Sequence, residues 1–193
     1  MRKVNFIWSF IYEEVLHYPL EMEYNREKAM KEVYEFINKI TPLWNKVEKK
    51  IFDYLEELTS LKWKKREIPC YVISVSRAMP ISDPLTIAIS LKTEEGLFTL
   101  SPKRYIDMLV HELIHNLFIQ NEKETAGYFD YLFKHYSKEE FNTILHLPVH
   151  ALHKEIFLKF LSEDRLKEEI EMAAFYPDYK RSWEIVLLEG DKI

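Results

Sequence analysis

Residues 68–118 read IPCYVISVSRAMPISDPLTIAISLKTEEGLFTLSPKRYIDMLVHELIHNLF, and the character of the chain changes twice within them. The runs CYVISVS (70–76), PLTIAISL (84–91) and LFTL (97–100) are short and rich in β-branched residues, and Pro80, Asp83-Pro84 and Glu95-Gly96 punctuate them. That pattern predicts strands joined by turns. Ser101-Pro102 then opens a long helix, with Ile106, Leu109, Val110, Leu113, Ile114 and Leu117 along its apolar side. Upstream, residues 25–61 carry helical spacing, and Thr41-Pro42 predicts that one helix ends and a second begins there. The apolar stretch Val4–Tyr12 reads as a strand or helix of the fold. Downstream everything reads as helix. Ser137 to Glu140 fits a capping box, and Pro148 predicts a kink or a restart. Asp178 is placed to cap a last helix and Gly190 to stop it. The expected fold class is α+β with helix predominating, in a single domain over 1–193. It comprises an N-terminal strand and helices (1–65), a sheet (66–100) and a helical part (101–193).

Composition narrows the function classes. The chain has 193 residues, 47% of them hydrophobic, enough to build a real core. Its formal net charge of -5 disfavours a sequence-blind nucleic-acid binder. Three glycines leave little material for a phosphate-cradling loop, and one cysteine, Cys70, forbids an internal disulfide and a thiolate metal cluster. No apolar run is long enough to span a membrane. Arg2 and Lys3 precede an apolar stretch, but Asn5 and Ser9 break it and Glu13-Glu14 follow, which argues against a secretion signal. The expected location is therefore cytoplasmic, with no membrane and no nucleic-acid partner.

One constellation carries chemistry. MLVHELIHNLF contains His111, Glu112 and His115 in an H-E-x-x-H pattern on the periodic helix. Residues four apart share a helix face, so two imidazoles can converge on one ion. Zn²⁺ accepts imidazole nitrogen at ~2.0–2.1 Å and a catalytic site keeps one position for water. Glu112, next to His111, is placed to take that water's proton. Composition alone predicts the pattern roughly 0.03 times in such a chain. The bland alternative is a pair of hydrogen-bonded core histidines with Glu112 merely exposed.

This HELIH stretch resembles the active-site helix of the zincin metallopeptidases, and the strands before it and helices after it keep that group's element order. The resemblance implies one Zn²⁺ held by His111 and His115, with Glu112 as general base in hydrolysis of a peptide or protein substrate. It also implies that PLTIAISL or a neighbouring strand borders the cleft. Phe118 and Asn121 stand where the metzincin subgroup requires Gly and His, so that subgroup is excluded.

A third ligand is expected downstream. In ILHLPVHALHKEIF, Val149, Leu152, Ile156 and Phe160 define the buried stripe of a helix. His153 falls near its centre, where a histidine is ordinarily core, while His146 and His150 fall at one edge. His150, just after Pro148, is preferred as third ligand, with His146 as the alternative or as a group that orients a ligand. His135 and Glu124 are further candidates. Tyr179 and Arg181 are candidate oxyanion donors, although packing and a solvated charge are the simpler readings. Cys70 reads as a buried small hydrophobe.

Two other functions compete. The chain could keep a metal as a non-catalytic staple or partner-binding centre. It could also be a di-iron carboxylate protein, since Glu14-Val-Leu-His17 repeats the E-x-x-H spacing of Glu112 to His115. Tyr18-Pro19 directly after His17 and the strand-rich middle both weigh against the second.

Overall fold

Two segments of apolar and β-branched character, far apart in the chain, pair in parallel as β1 (Lys3–Ile7) and β2 (Glu67–Ser76), with Val4 opposite Ile68 and Phe6 opposite Cys70. The computed structural model describes residues 2–17, 23–77, 80–94, 96–189 and 193. β2 pairs in parallel with β4 (Leu85–Thr93), placing Val72 opposite Ile87. The outer edge of β4 is shared by two short antiparallel strands. β3 (Ile81–Ser82) takes its start and β5 (Gly96–Thr99) its end. Leu85 to Ser90 are all buried, the pattern of a strand covered on both faces. Gly96 has φ 134°, a backbone state that suits glycine, where the chain turns back into β5.

The helices are α1 (Phe10–His17), α2 (Arg26–Asn45), α3 (Glu48–Thr59), α4 (Pro102–Gln120), α5 (Glu122–His135), α6 (Phe141–Phe160), α7 (Glu163–Ala173) and α8 (Pro177–Glu189). The α+β class with helix predominating stands, and the stretch Val4–Tyr12 is both things expected of it: a strand, then the start of α1. None of the described helices is long and apolar enough to cross a membrane.

The main core lies between the sheet and α2, α3, α4 and α6, filled by Trp44, Phe52, Ile87, Tyr105, Leu113 and Ile156. A second cluster, with Leu147, Phe157, Leu166 and Trp183, lies among α6, α7 and α8. Buried carboxylates tie the N-terminal elements down. Glu13 accepts from the Trp8 indole (3.1 Å) and from the Ser74 backbone N–H (3.0 Å) and hydroxyl. Glu48 accepts from the Val4 N–H and the Trp44 indole, both at 2.7 Å.

Three helix boundaries differ from the sequence expectation. α2 runs through Thr41-Pro42 and ends at Asn45. The carbonyl that proline leaves unbonded belongs to exposed Asn38, where water can satisfy it, and the Thr41 hydroxyl donates to the Ile37 carbonyl (2.7 Å). Ser137 does not open a capping box: α6 begins at Phe141 behind Glu140, which makes no side-chain cap bond. At Pro148, where a kink or a restart is expected, the restart does not occur and α6 continues. Asp178 lies inside the first turn of α8, behind Pro177, and Gly190 lies outside the described residues.

Candidate metal centre

α4 starts where expected. The Ser101 side chain accepts from the Arg104 N–H, and Pro102 occupies the first helical position. Twelve of its 19 residues are buried, so it is a core helix rather than a surface one. Its polar residues therefore need partners. They form two rows at four-residue spacing: Asp107, His111 and His115 in one, and Glu112, Asn116 and Gln120 in the other.

The first row builds the histidine cluster. Nε2 of His111 and Nε2 of His115 stand 3.2 Å apart. Two nitrogens on one tetrahedral zinc at ~2.0–2.1 Å would lie about 3.3 Å apart, so the pair is spaced as ligands of a single ion. α6 brings in His146, whose ring centroid is 4.9 Å from that of His115 and 5.4 Å from that of His111. One ligating atom from each of the three lies within 4.8 Å of the other two. His146 Nδ1 donates to the Asn142 carbonyl at 2.8 Å, which fixes the tautomer with a lone pair on Nε2.

His150 and His153 complete a five-histidine cluster but are held differently. His150 Nδ1 meets the Ser182 hydroxyl at 3.0 Å, and its ring stacks on Trp183. Its centroid lies 5.6 Å from that of His111, and it joins neither trio of mutually close ligand atoms found among the described residues. His153 is fully buried, as the centre of an apolar stripe should be, and neither ring nitrogen makes a hydrogen bond of ordinary geometry. The second trio is His111, His153 and Glu169. Electrostatics decides against it. Glu169 is already ion-paired with Arg104, and the charges of Arg104 and Arg165 both press on His153. Arg165 is paired in turn with Asp107, so an ion there would have to draw Glu169 away from Arg104. At His146 the charge of Asp178 is acidic and favours a cation.

Burial holds all five imidazoles neutral. Desolvation pushes His115 and His153 down to about 3 and lowers His111, His146 and His150 as well. Neutral imidazole is the ligand form, so at pH 7 a metal need displace no proton from the rings. Burial pushes Glu112 the other way, up to about 7, with the Ser82 hydroxyl opposing it by donating to Oε2 at 2.6 Å. A carboxyl with that affinity for protons near neutral pH can accept one and give it back.

Of the other sequence candidates, Tyr179 does reach the cluster, with its ring centroid 4.3 Å from that of His146 and 6.1 Å from that of His111. Burial, then the charge of Glu112, raises its hydroxyl to about 12, so it stays protonated as a donor. Arg181 turns away to Glu139 (2.7 Å) and Glu184 (3.2 Å). Exposed His135 stacks on Tyr131, and Glu124 pairs with Lys64 at 2.8 Å, so neither joins the cluster. Glu14 is exposed on α1 and joins neither trio, and the five-stranded sheet is not the frame of a four-helix di-iron bundle. Cys70 is buried in β2.

Two groups at the centre were absent from the sequence reading. Asn116 was legible: it is a polar residue one turn beyond Glu112 in a helix otherwise apolar at that point. Ser82 carried no signal, since it lies in a turn-like stretch 30 residues from the carboxylate that it meets. Comparison of the chain with protein-family models, curated proteins and solved structures finds no match.

Proposed function

We propose that this chain is a zinc-dependent hydrolase acting on peptide bonds, with His111, His115 and His146 holding one ion and Glu112 as general base. The observation that carries the reading is the 3.2 Å approach of two imidazole nitrogens one helical turn apart, with His146 completing a trio of neutral donors. His146 is preferred here to His150, the sequence-based choice, because its ligand atom lies within 4.8 Å of those of both His111 and His115, whereas His150, although its Nε2 is buried without a partner, joins neither trio. Peptide as the substrate rests on the resemblance of the HELIH stretch, with strands before it and helices after it, to the zincin metallopeptidases.

When bound, zinc would polarise the scissile carbonyl and make an attacking water more acidic. The chain's own residues do the rest. Glu112 receives the proton and can return it to the leaving amine. The Tyr179 hydroxyl, protonated at pH 7, is a donor for a developing oxyanion. Burial of the cluster keeps the local dielectric low and strengthens each of these interactions.

One observation favours a second reading, a metal kept as a structural staple: His111 and Glu112 are only 8% and 6% exposed. A staple has no use for a general base. The deciding experiment measures zinc by elemental analysis and cleavage of a quenched-fluorescent peptide library, with and without chelator. The hydrolase reading expects about one zinc per chain and chelator-sensitive cleavage. Zinc bound with no cleavage supports the staple, and a chain without metal sinks both.

A further inference from the structure

The second polar row of α4 leads away from the histidines, toward β3. The Ser82 hydroxyl donates to Glu112 Oε2 at 2.6 Å. Ser82 is itself gripped from the helix: Asn116 Nδ2 donates to its backbone carbonyl at 2.7 Å. Gln120 Nε2 donates to Asn116 Oδ1 at 2.7 Å, and Gln120 Oε1 accepts the backbone N–H groups of Lys64 (2.8 Å) and Lys65 (3.0 Å). Through the two side-chain amides each bond polarises the next, as far as the Ser82 backbone carbonyl, which the relay holds in place; the Ser82 hydroxyl then makes a separate bond to the carboxylate. Asn116 is 2% exposed, so water does not compete for its amide.

From this geometry we infer that Ser82 is a positioning residue for Glu112, held by the Asn116–Gln120 relay. The inference rests on the reading of Glu112 as general base and adds what aims it. A carboxylate turns easily about its last side-chain bond. With Oε2 held by a hydroxyl, Oε1 is left as the proton acceptor in one orientation. Ser82 touches neither metal nor substrate in this role. It acts through the carboxylate, from a strand that reaches it only by pairing with β4.

The test uses the whole chain loaded with Co²⁺ and titrated with acetohydroxamic acid, a metal-binding probe whose proton passes to the general base. The cobalt absorption band reports binding without any substrate. Wild type, Glu112→Gln, Ser82→Thr and Ser82→Val are compared, the last two being alike in shape and differing in the hydroxyl. Expected are weaker binding in Glu112→Gln, near wild-type affinity in Ser82→Thr and about a 10-fold loss in Ser82→Val, at equal metal content. Ser82→Ala deletes the same hydroxyl with less bulk and serves if Ser82→Val does not fold. Equal affinity in the Thr and Val (or Ala) proteins, with Glu112→Gln weakened, overturns the positioning role alone. Glu112→Gln binding as tightly as wild type, or a wild type that takes up no cobalt, overturns the general-base reading and this one with it.

Discussion

The imidazole of His150 lies flat on the indole of Trp183, with ring centroids 4.4 Å apart and 9° between the planes. With Nδ1 on Ser182, His150 is fastened to α8, whereas His146, one turn earlier on the same helix, faces His111 and His115. The two residues therefore separate by experiment. His146→Ala should lower zinc affinity by about 100-fold or more, while His150→Phe, which can keep the stack, should retain one zinc per chain. Competition with a chromophoric chelator measures both. Equal losses in the two variants would refute the assignment.

Glu112→Gln keeps the shape of the side chain and its acceptor oxygen for Ser82 but removes the basic group. The expected result is zinc content equal to wild type and peptide cleavage reduced ~10²–10⁴-fold. Retained turnover would remove Glu112 from the chemistry.

His153 gives a clean pH signature. Its folded-state affinity for protons is lowered to about 3, against an ordinary 6.5, by burial and then by the Arg104 charge. As pH falls from 6.5 toward 3 the unfolded chain takes up a proton that the folded chain refuses, so folding stability is lost in that window. At pH 5 the loss from this one group is about 2 kcal/mol, 1.5 pH units at ~1.36 kcal/mol each. In metal-free protein, His153→Leu should therefore gain about 2 kcal/mol relative to wild type between pH 7 and pH 5, read by urea unfolding. A gap that does not change with pH would contradict the buried, neutral ring.

Glu48 tests the frame behind the site. Its Oε1 accepts both the Val4 N–H and the Trp44 indole, at 7% exposure. Truncation strands two buried donors at the junction of β1, α2 and α3. Glu48→Ala should cost about 2–4 kcal/mol in chemical denaturation, and Glu48→Gln, which keeps an acceptor, about half of that.

Local chemistry was readable wherever it was carried by neighbours in the chain. The N-cap at Ser101 and the strands β2, β4 and β5 follow from turn residues and periodicity, which act over a few positions. So does the convergence of His111 and His115, because a helix sets the relation of i and i+4 without help from the rest of the fold. The errors cluster where a residue's preference was overruled by what surrounds it. Pro42 looks like a helix break, yet α2 passes through it, with Trp44 packed beyond. Ser137 and Glu140 have the spacing of a box, but the chain between them turns and Glu139 reaches for Arg181.

By itself, then, the sequence determined a helix that presents two imidazoles and a carboxylate within one turn, in an α+β chain with strands before it and helices after. Only tertiary structure brought a ligand atom of His146 within 4.8 Å of those of both, because angles around a helix rank the faces but not the helix each face meets. It also chose the partner of Glu112: Ser82 comes within 2.6 Å through the pairing of β3 with β4. Such contacts close long loops, and their energy comes from the burial of the whole core rather than from any local pattern.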